Sequence, residues 1–489
     1  MATEGRFWRT AAVLHYTVGL QIPALNQRKA PKDGVVQDLK ETARSIFGQA
    51  LTDCSIPGAF ERALRIERSP QGTQLAFEGQ PPLALSALKH LRIIAMGKAA
   101  APMLDALLAR LPVLPASDLA GVLVAPSRLE NLPKAVQFFA GGHPLPNQDS
   151  FAGASAILAM LREAAALPAD QTLCLFLISG GASAMMELPL DAAISLDDTI
   201  AFYQALVHCG ASIVEVNCVR KHFSAVKGGR LALAAGGAGK LSLLVADVPP
   251  AHLDALASGP TLPDATTAAD CRKIIARYTL LERFPASVRR YFESPGLSET
   301  PKPGELSSAA ITLLDSGDLA RAAAARATAL GFHTVVDNTC DDWPFERAAD
   351  FLLHRLRQLR KEHSRCCVIS AGEISVKVPP FKDAATHLGG RNQHLALHLA
   401  TKLREEDTQI ALLSAGSDGI DGNSSAAGAV ADERTIHDAS ATSSRESSRR
   451  ALASFDSSTW LAAQNATLVT GPTGQNLRDL RILLADSAE

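Results

Sequence analysis

The sequence predicts an α/β protein of two layered domains, the first Rossmann-like with a largely parallel sheet. Three observations carry this expectation. Short apolar runs at 91–96, 172–178, 241–246, 366–370 and 409–414 each end in small or turn-forming residues, and helical patterns alternate with them. The composition is 47% hydrophobic but only 5% aromatic, as in layered enzymes rather than disordered chains. At 489 residues the chain is too long for one ordinary core, and the Pro-, Gly- and Ser-rich stretch 295–308 interrupts the pattern. Domains are therefore expected at 36–300 and 301–489, after an extension at 1–35 with no expected packed core.

Bulk properties exclude several classes. A net charge of −2 offers no basic face for nucleic acid. No apolar run is long enough to span a bilayer. Near the start, Arg6 and Arg9 precede an apolar stretch at 11–25, but His15, Tyr16, Thr17 and Gln21 break it and no A-x-A site follows. The eight cysteines form no CxxC pair and no secreted-style framework, so they read as reduced, mostly buried thiols of a cytoplasmic protein.

Along the first domain, 38–51 reads as an amphipathic helix. The strand at 91–96 runs into Gly97-Lys98-Ala99-Ala100 and a helix to about residue 110. A lysine at a strand–glycine–helix junction suits an anion, although these four residues alone better describe a merely solvated helix start. They are not a P-loop, because Ala99 stands where Ser or Thr is required. Strands are expected at 121–125 and 135–140. Gly141 to Asn147 is a turn-rich loop carrying His143. The most apolar strand, 172–178, opens into Ser179-Gly180-Gly181-Ala182-Ser183-Ala184, whose small residues leave backbone N–H groups free for a phosphate or carboxylate. A basic, helical segment from residue 217 holds Arg220, Lys221 and His222 and ends at Lys227-Gly228-Gly229-Arg230. It fits an anionic ligand or a solvated face. Asp247 follows the strand at 241–246.

In the second domain, strands are expected at 311–314, 334–337, 366–370 and 374–378, with helices at 319–330 and 344–361. After a loop at 379–388, Gly389-Gly390-Arg391 starts a helix, and an arginine there can fork onto phosphate oxygens. The strand at 409–414 enters Ala415-Gly416-Ser417-Asp418-Gly419-Ile420-Asp421-Gly422. Its two aspartates suit a hard cation such as Mg²⁺, or simply an Asp-Gly turn that bonds its own backbone. Residues 438–450 are polar and low in complexity and are expected to form a loop.

The motifs GKAA (97–100), GGHPLPN (141–147), LISGGASA (177–184), VNCVRKHFSAVKGGRLA (216–232), ASGPTLPD (257–264), GGRNQHLAL (389–397), GSDGIDG with AAGA (416–429) and TGPTGQN (470–476) occur in this order. With them the chain resembles the class II glycerate kinases, whose C-terminal half is often called MOFRL. The resemblance covers roughly residues 40–485. It implies two α/β domains with an active-site cleft between them and ATP- and Mg²⁺-dependent phosphorylation of glycerate, in bacterial members typically to 2-phosphoglycerate. The family's functional lysine falls on Lys98, its arginine on Arg391 and its acidic positions on Asp247, Asp418 and Asp421.

Phosphoryl transfer depends mainly on positioning and charge neutralisation. Under the resemblance, Lys98 and Arg391 meet the transferring phosphate. Asp418 and Asp421 hold Mg²⁺, and Asp247 is a further Mg²⁺ contact or the base. Nucleotide-facing positions are Ser179, Gly180, Gly181, Ser183, Gly389, Gly390 and Gly416, while Arg220 and Lys221 hold the substrate carboxylate. The expected partners are ATP and a small hydroxy acid, with homodimerisation left open. The chain departs from the family at Ala182, Pro250-Ala251, Ile374, Leu388, Ser425 and Gln475, which bears on substrate identity and activity. The alternatives are a hydroxypyruvate reductase, against which stands the lack of a strand leading into G-x-G-x-x-G, and a catalytically weakened relative.

Overall fold

The computed structural model describes residues 38–70, 72–111, 118–378, 387–436 and 441–486. The expected extension at 1–35 and most of the loop at 379–388 lie outside them. Contacts divide the chain into two compact units. The first is Ser55–Asp315; the second combines described residues 38–54 with those from Ser316 onward.

Helix α1 (Leu39–Asp53) starts where the Asp38 carboxylate accepts the Lys40 N–H at 2.9 Å. Its apolar residues Leu39, Ala43, Ile46, Phe47 and Ala50 recur at helical spacing and are all buried. The sequence grouped this helix with the first domain, but it packs in the second unit.

The first unit begins with α2 (Ile56–Ala63) and a small antiparallel sheet, β1 (Leu64–Ser69), β2 (Gly72–Phe77) and β3 (Leu83–Ala84). Then come β4 (His90–Met96), α3 (Ala100–Arg110), β5 (Asp118–Val124), β6 (Val136–Phe139), α4 (Gln148–Ala165), β7 (Thr172–Ser179), α5 (Ala182–Met185), α6 (Leu196–Val207), α7 (Ile213–Phe223), α8 (Arg230–Ala234), β8 (Gly239–Val245), α9 (Ala268–Arg277), α10 (Ala286–Glu293) and β9 (Ala309–Leu314). The main sheet has the order β6-β5-β4-β7-β8-β9, and every pairing is parallel. All eight residues of β7 are buried, as a strand covered on both faces requires. The chain leaves β4 toward β6 and then returns to β7 on the other side of β4. The gap beyond the carboxyl ends of β4 and β7 is thus a topological switch point, where open α/β sheets bind ligands.

The second unit contains α1, α11 (Ser316–Ala329), β10 (His333–Val336), α12 (Phe345–Glu362), β11 (Cys366–Gly372), α13 (Arg391–Thr401), β12 (Ile410–Gly416), β13 (Gly428–Asp432), α14 (Ala441–Ala453), α15 (Ser457–Ala463), β14 (Thr467–Leu468) and β15 (Asp479–Ala485). Its sheet order is β10-β11-β15-β12-β13-β14. β10 and β11 are parallel, whereas β15 runs antiparallel between β11 and β12, and β13 runs antiparallel beside β12. This sheet is therefore mixed, unlike the first. α1 packs on α11, β12 and β15.

Three local expectations change. Residues 374–378 form no strand; Ser375 makes only an isolated bridge to Pro344. The polar stretch expected as a loop contributes α14, because Ala451 is buried in a cluster with Leu461 and Leu397, and the half-buried Leu452 packs against it. Strands β13 and β15 have no counterpart in the sequence reading.

Candidate active-site residues

At the switch point, the loops after β4 and β7 are stitched together. The Lys98 N–H donates to the Gly180 carbonyl at 2.9 Å, and the Ala99 N–H to Ser179 Oγ at 3.0 Å. A Cβ added at Gly181, where φ is +82°, would lie 3.0 Å from Lys98 Cγ and 3.3 Å from His143 Cδ2. A Cβ at Gly180 would lie 1.7 Å from Asp247 Oδ2. Glycine is thus required at both positions to let Lys98, His143 and Asp247 crowd the β7 loop. The Lys98 side chain is exposed, and its ammonium has no hydrogen-bond or ion-pair partner among the described residues. Burial, and secondarily the Lys98 charge, hold the His143 imidazole below its ordinary pKa.

The β7 loop is less free for a ligand than its sequence suggests. Ser179 is 1% exposed and its hydroxyl is engaged by the Ala99 N–H. Ser183 Oγ pairs with Ser258 Oγ at 2.9 Å, and Ser258 in turn donates to Asn217 Oδ1 at 2.9 Å. The helix that follows, α5, has only four residues.

The structure separates Arg220 from Lys221. The Lys221 side chain is 3% exposed, and its ammonium lies 2.8 Å from Asp254 and 3.3 Å from Asp264. The Arg220 guanidinium instead sits over the Tyr203 ring, 4.8 Å from its centroid, and its Nε is buried without a hydrogen-bond partner among the described residues. Tyr203 donates to the Ser183 carbonyl at 2.7 Å and also bonds Glu187. Glu187 forms an ion pair with Lys227 at 2.7 Å, both side chains being fully buried. Desolvation holds the Lys227 ammonium below its usual range, against the pull of Glu187. The sequence reading missed Tyr203 and Glu187, which are indistinguishable from core and loop residues. Only the quoted VKGGR segment pointed near Lys227.

In the second unit, Gly389, Gly390, Arg391, Asp418, Asp421 and Asn423 line part of a cavity of about 700 Å³. Gly390 stands at the N-cap of α13 and offers no side-chain cap. Asp421 supplies one from another loop: its oxygens accept the Asn392 N–H at 3.0 Å and the Gln393 N–H at 2.8 Å. Two amides otherwise left unpaired at a helix start are thereby satisfied. Asp421 is 2% exposed, and burial pushes its carboxyl up to about 6 despite these bonds. Asp418 is partly exposed and accepts the Ile420 N–H at 3.1 Å. A Cβ at Gly416 would lie 3.1 Å from Asp418 Oδ1 and 3.5 Å from Asp479 Oδ1, so both carboxylates face that glycine.

Arg391 is clamped. Its Nε and Nη2 donate to Asp479 at 2.5 and 3.0 Å, and Nη2 also lies 2.8 Å from Glu373. These carboxylates raise its pKa above the ordinary value against the opposing effect of desolvation. Of the family departures, Ile374 is 4% exposed in the core of this unit, and Gln475 Nε2 donates to the Leu51 carbonyl at 3.2 Å. Both serve packing. Among the described residues, no group of three or more His, Cys, Asp or Glu side chains is arranged to hold a metal ion.

Comparison with known families finds two matches in the chain. Residues 42–293 match a domain of unknown function, DUF4147, and residues 366–479 match the MOFRL family. A D-glycerate 2-kinase of Thermotoga maritima is 35% identical over 71% of this chain and 79% of its own length. A glycerate 2-kinase of Pyrococcus horikoshii is 30% identical over 93% of this chain and 99% of its own. The crystal structure of a glycerate kinase from Thermotoga maritima superimposes with a TM-score of 0.75 at 30% identity, covering 91% of this chain and 99% of that one.

Proposed function

The chain belongs to the glycerate 2-kinase family, with its DUF4147 and MOFRL parts, and on that premise we propose that it transfers the terminal phosphoryl group of ATP to the 2-hydroxyl of D-glycerate, giving 2-phosphoglycerate. The observation that carries the mechanism is the exposed Lys98 ammonium, without a hydrogen-bond or ion-pair partner among the described residues, at the switch point of a parallel sheet near Asp247. Transfer spreads negative charge over the outer oxygens of the moving group. Lys98 neutralises that charge without first giving up a native partner. Asp247 accepts the proton of the attacking hydroxyl. Arg220 takes the glycerate carboxylate, and Lys221, already paired twice, supports the helix that presents it.

The second unit serves the nucleotide. Its phosphates meet the start of α13 at Gly389, Gly390 and Arg391. Two carboxylates do not exhaust the five donors of the Arg391 guanidinium, so it contacts phosphate while held in a fixed plane. The donor set fits Mg²⁺ through Asp418, which keeps acceptor capacity beyond the Ile420 bond. Mg²⁺ typically takes one or two carboxylates and completes its shell with water and phosphate. Asp421, with both oxygens on α13 amides, is the support of this loop. Bound Mg²⁺ supplies further neutralisation of phosphate charge. A coupled ADP-release assay over a panel of small hydroxy acids, with phosphorus NMR of the product, tests the reading. ADP release is expected with D-glycerate, and NADH oxidation with hydroxypyruvate is not. The reverse pattern would replace the kinase by a reductase.

A further inference from the structure

Beside the 700 Å³ cavity, the second unit contains a recess of about 410 Å³ that shares Ser375, His394 and Phe455 with it as walls. We propose that this recess, walled by Phe345, His394, His398, Leu452 and Phe455, is the nucleobase subsite for the nucleotide whose phosphates meet Gly390 and Arg391. The assignment rests on the kinase reading and adds to it a position for the heteroaromatic ring.

The ring geometry suits a flat aromatic guest. His394 and Phe455 stack on each other, 7° apart with centroids at 5.1 Å, and His394 is buried, so the aromatic surface a guest can reach is that of the half-buried Phe455 and Phe345. Phe345 stands edge-on to His394 and to His398, at 75° and 77°. The His394 ring is fixed by its Nδ1 contact with Ser457 Oγ at 3.1 Å. Burial pushes its pKa down to about 4, so the ring is neutral and stacks without a charge to hydrate. The charged residues lining the recess, Glu346 and Lys377, are both exposed. A three-carbon hydroxy acid would lose hydration in such a place and gain little. A base has an apolar face to bury and polar edges to pair, and the buried His398 Nε2 has no hydrogen-bond partner among the described residues. The spacing also agrees. Arg391 and His394 stand three residues apart near the start of α13, hence on one face and about 4.5 Å apart along its axis. One helix thus carries a phosphate donor and a residue of the recess wall a single turn apart.

The test uses the full chain and three probes: adenosine, ATP and inorganic tripolyphosphate. Ala453 lines the recess and is exposed, so Ala453→Phe narrows the recess at a position outside the buried core. Adenosine binding measured by calorimetry and the KM for ATP should each weaken about 10-fold or more, within the range expected for loss of base stacking. Inhibition by tripolyphosphate should be unchanged. His394→Ala should weaken adenosine binding in the same direction. The proposal is overturned if Ala453→Phe binds adenosine like the parent, or loses tripolyphosphate in equal proportion. Normal ATP turnover in those cases would leave the kinase reading standing. Conversely, a parent chain that turns over no ATP with any acceptor, yet binds adenosine in an Ala453-dependent way, would sink the kinase reading and keep the subsite.

Discussion

The two units each bring one cation to the proposed chemistry, and they hold it in opposite ways. Lys98 stands beyond a parallel sheet, solvent-exposed, on a loop whose backbone N–H groups are fastened to the Gly180 carbonyl and the Ser179 hydroxyl. Arg391 stands at a helix start beside a mixed sheet, gripped by Asp479 and Glu373. Placement therefore comes from the main chain in one case and from side-chain ion pairs in the other. A residue of the first kind can be removed with loss of chemistry alone, whereas removing one of the second kind also strands its partners.

The largest expected effect tests the first half of this contrast. Lys98→Ala should lower kcat about 10²–10³-fold, as for loss of a group that meets transition-state charge. The melting temperature should hardly move, because no hydrogen-bond or ion-pair partner among the described residues is lost. A fall in both would place Lys98 among the structural residues and break the comparison. Arg391→Ala should lower kcat and also cost about 2 kcal/mol of stability, the low end for stranding a buried charge partner. The low end applies because the Arg391 side chain is 37% exposed, while Asp479 is 2% exposed. Denaturant titration reads this directly, and a variant as stable as the parent would show the clamp to be idle. Arg391→Lys should recover only part of the activity, since lysine lacks the bidentate fork.

A smaller effect separates the two aspartates. EDTA should abolish turnover and Mg²⁺ restore it, and Asp418→Asn should raise the Mg²⁺ needed for half-maximal rate by about tenfold. Asp421→Asn should act chiefly on stability, by about 1 kcal/mol, because a neutral cap is weaker than a carboxylate. Identical metal titrations for parent and Asp418→Asn would remove Asp418 from the metal site. The smallest effect concerns His143. Its pKa is depressed in the folded chain, so its contribution to stability is complete above the ordinary histidine value and is lost as pH falls through the folded one. Proton NMR of the ring in Lys98→Ala should show the pKa rising only part of the way back, since burial is the larger cause. No change would mean that Lys98 and His143 do not share a site.

What the sequence revealed follows the reach of local signals. The loops after β4 and β7 could be read because a strand, glycines and a helix are contiguous there. The different fates of Arg220 and Lys221 could not. Neighbours on a helix point about 100° apart, so one faces Tyr203 while the other finds Asp254 and Asp264, 33 and 43 residues further on. Asp479 opens β15, a strand the sequence reading did not contain, and nothing nearby signals that Arg391, 88 residues earlier, pairs with it. β13 is short and rich in small residues, so it lacks the branched and aromatic content that marks strands.

The placement of α1 has a consequence for how the chain is made. This helix is synthesised before the whole of Ser55–Asp315, yet the sheet and helix it covers come after. At ~5–20 residues per second, its apolar face waits tens of seconds for β12 and β15 to emerge. The first unit can close meanwhile, so it forms as an insertion within an unfinished partner. The MOFRL match ends at Asp479, the first residue of β15, which is the strand that joins β11 to β12. A fragment cut at that match would lack both α1 and the strand at the middle of its own sheet. The stretch recognisable as MOFRL is therefore shorter than the piece of chain that folds.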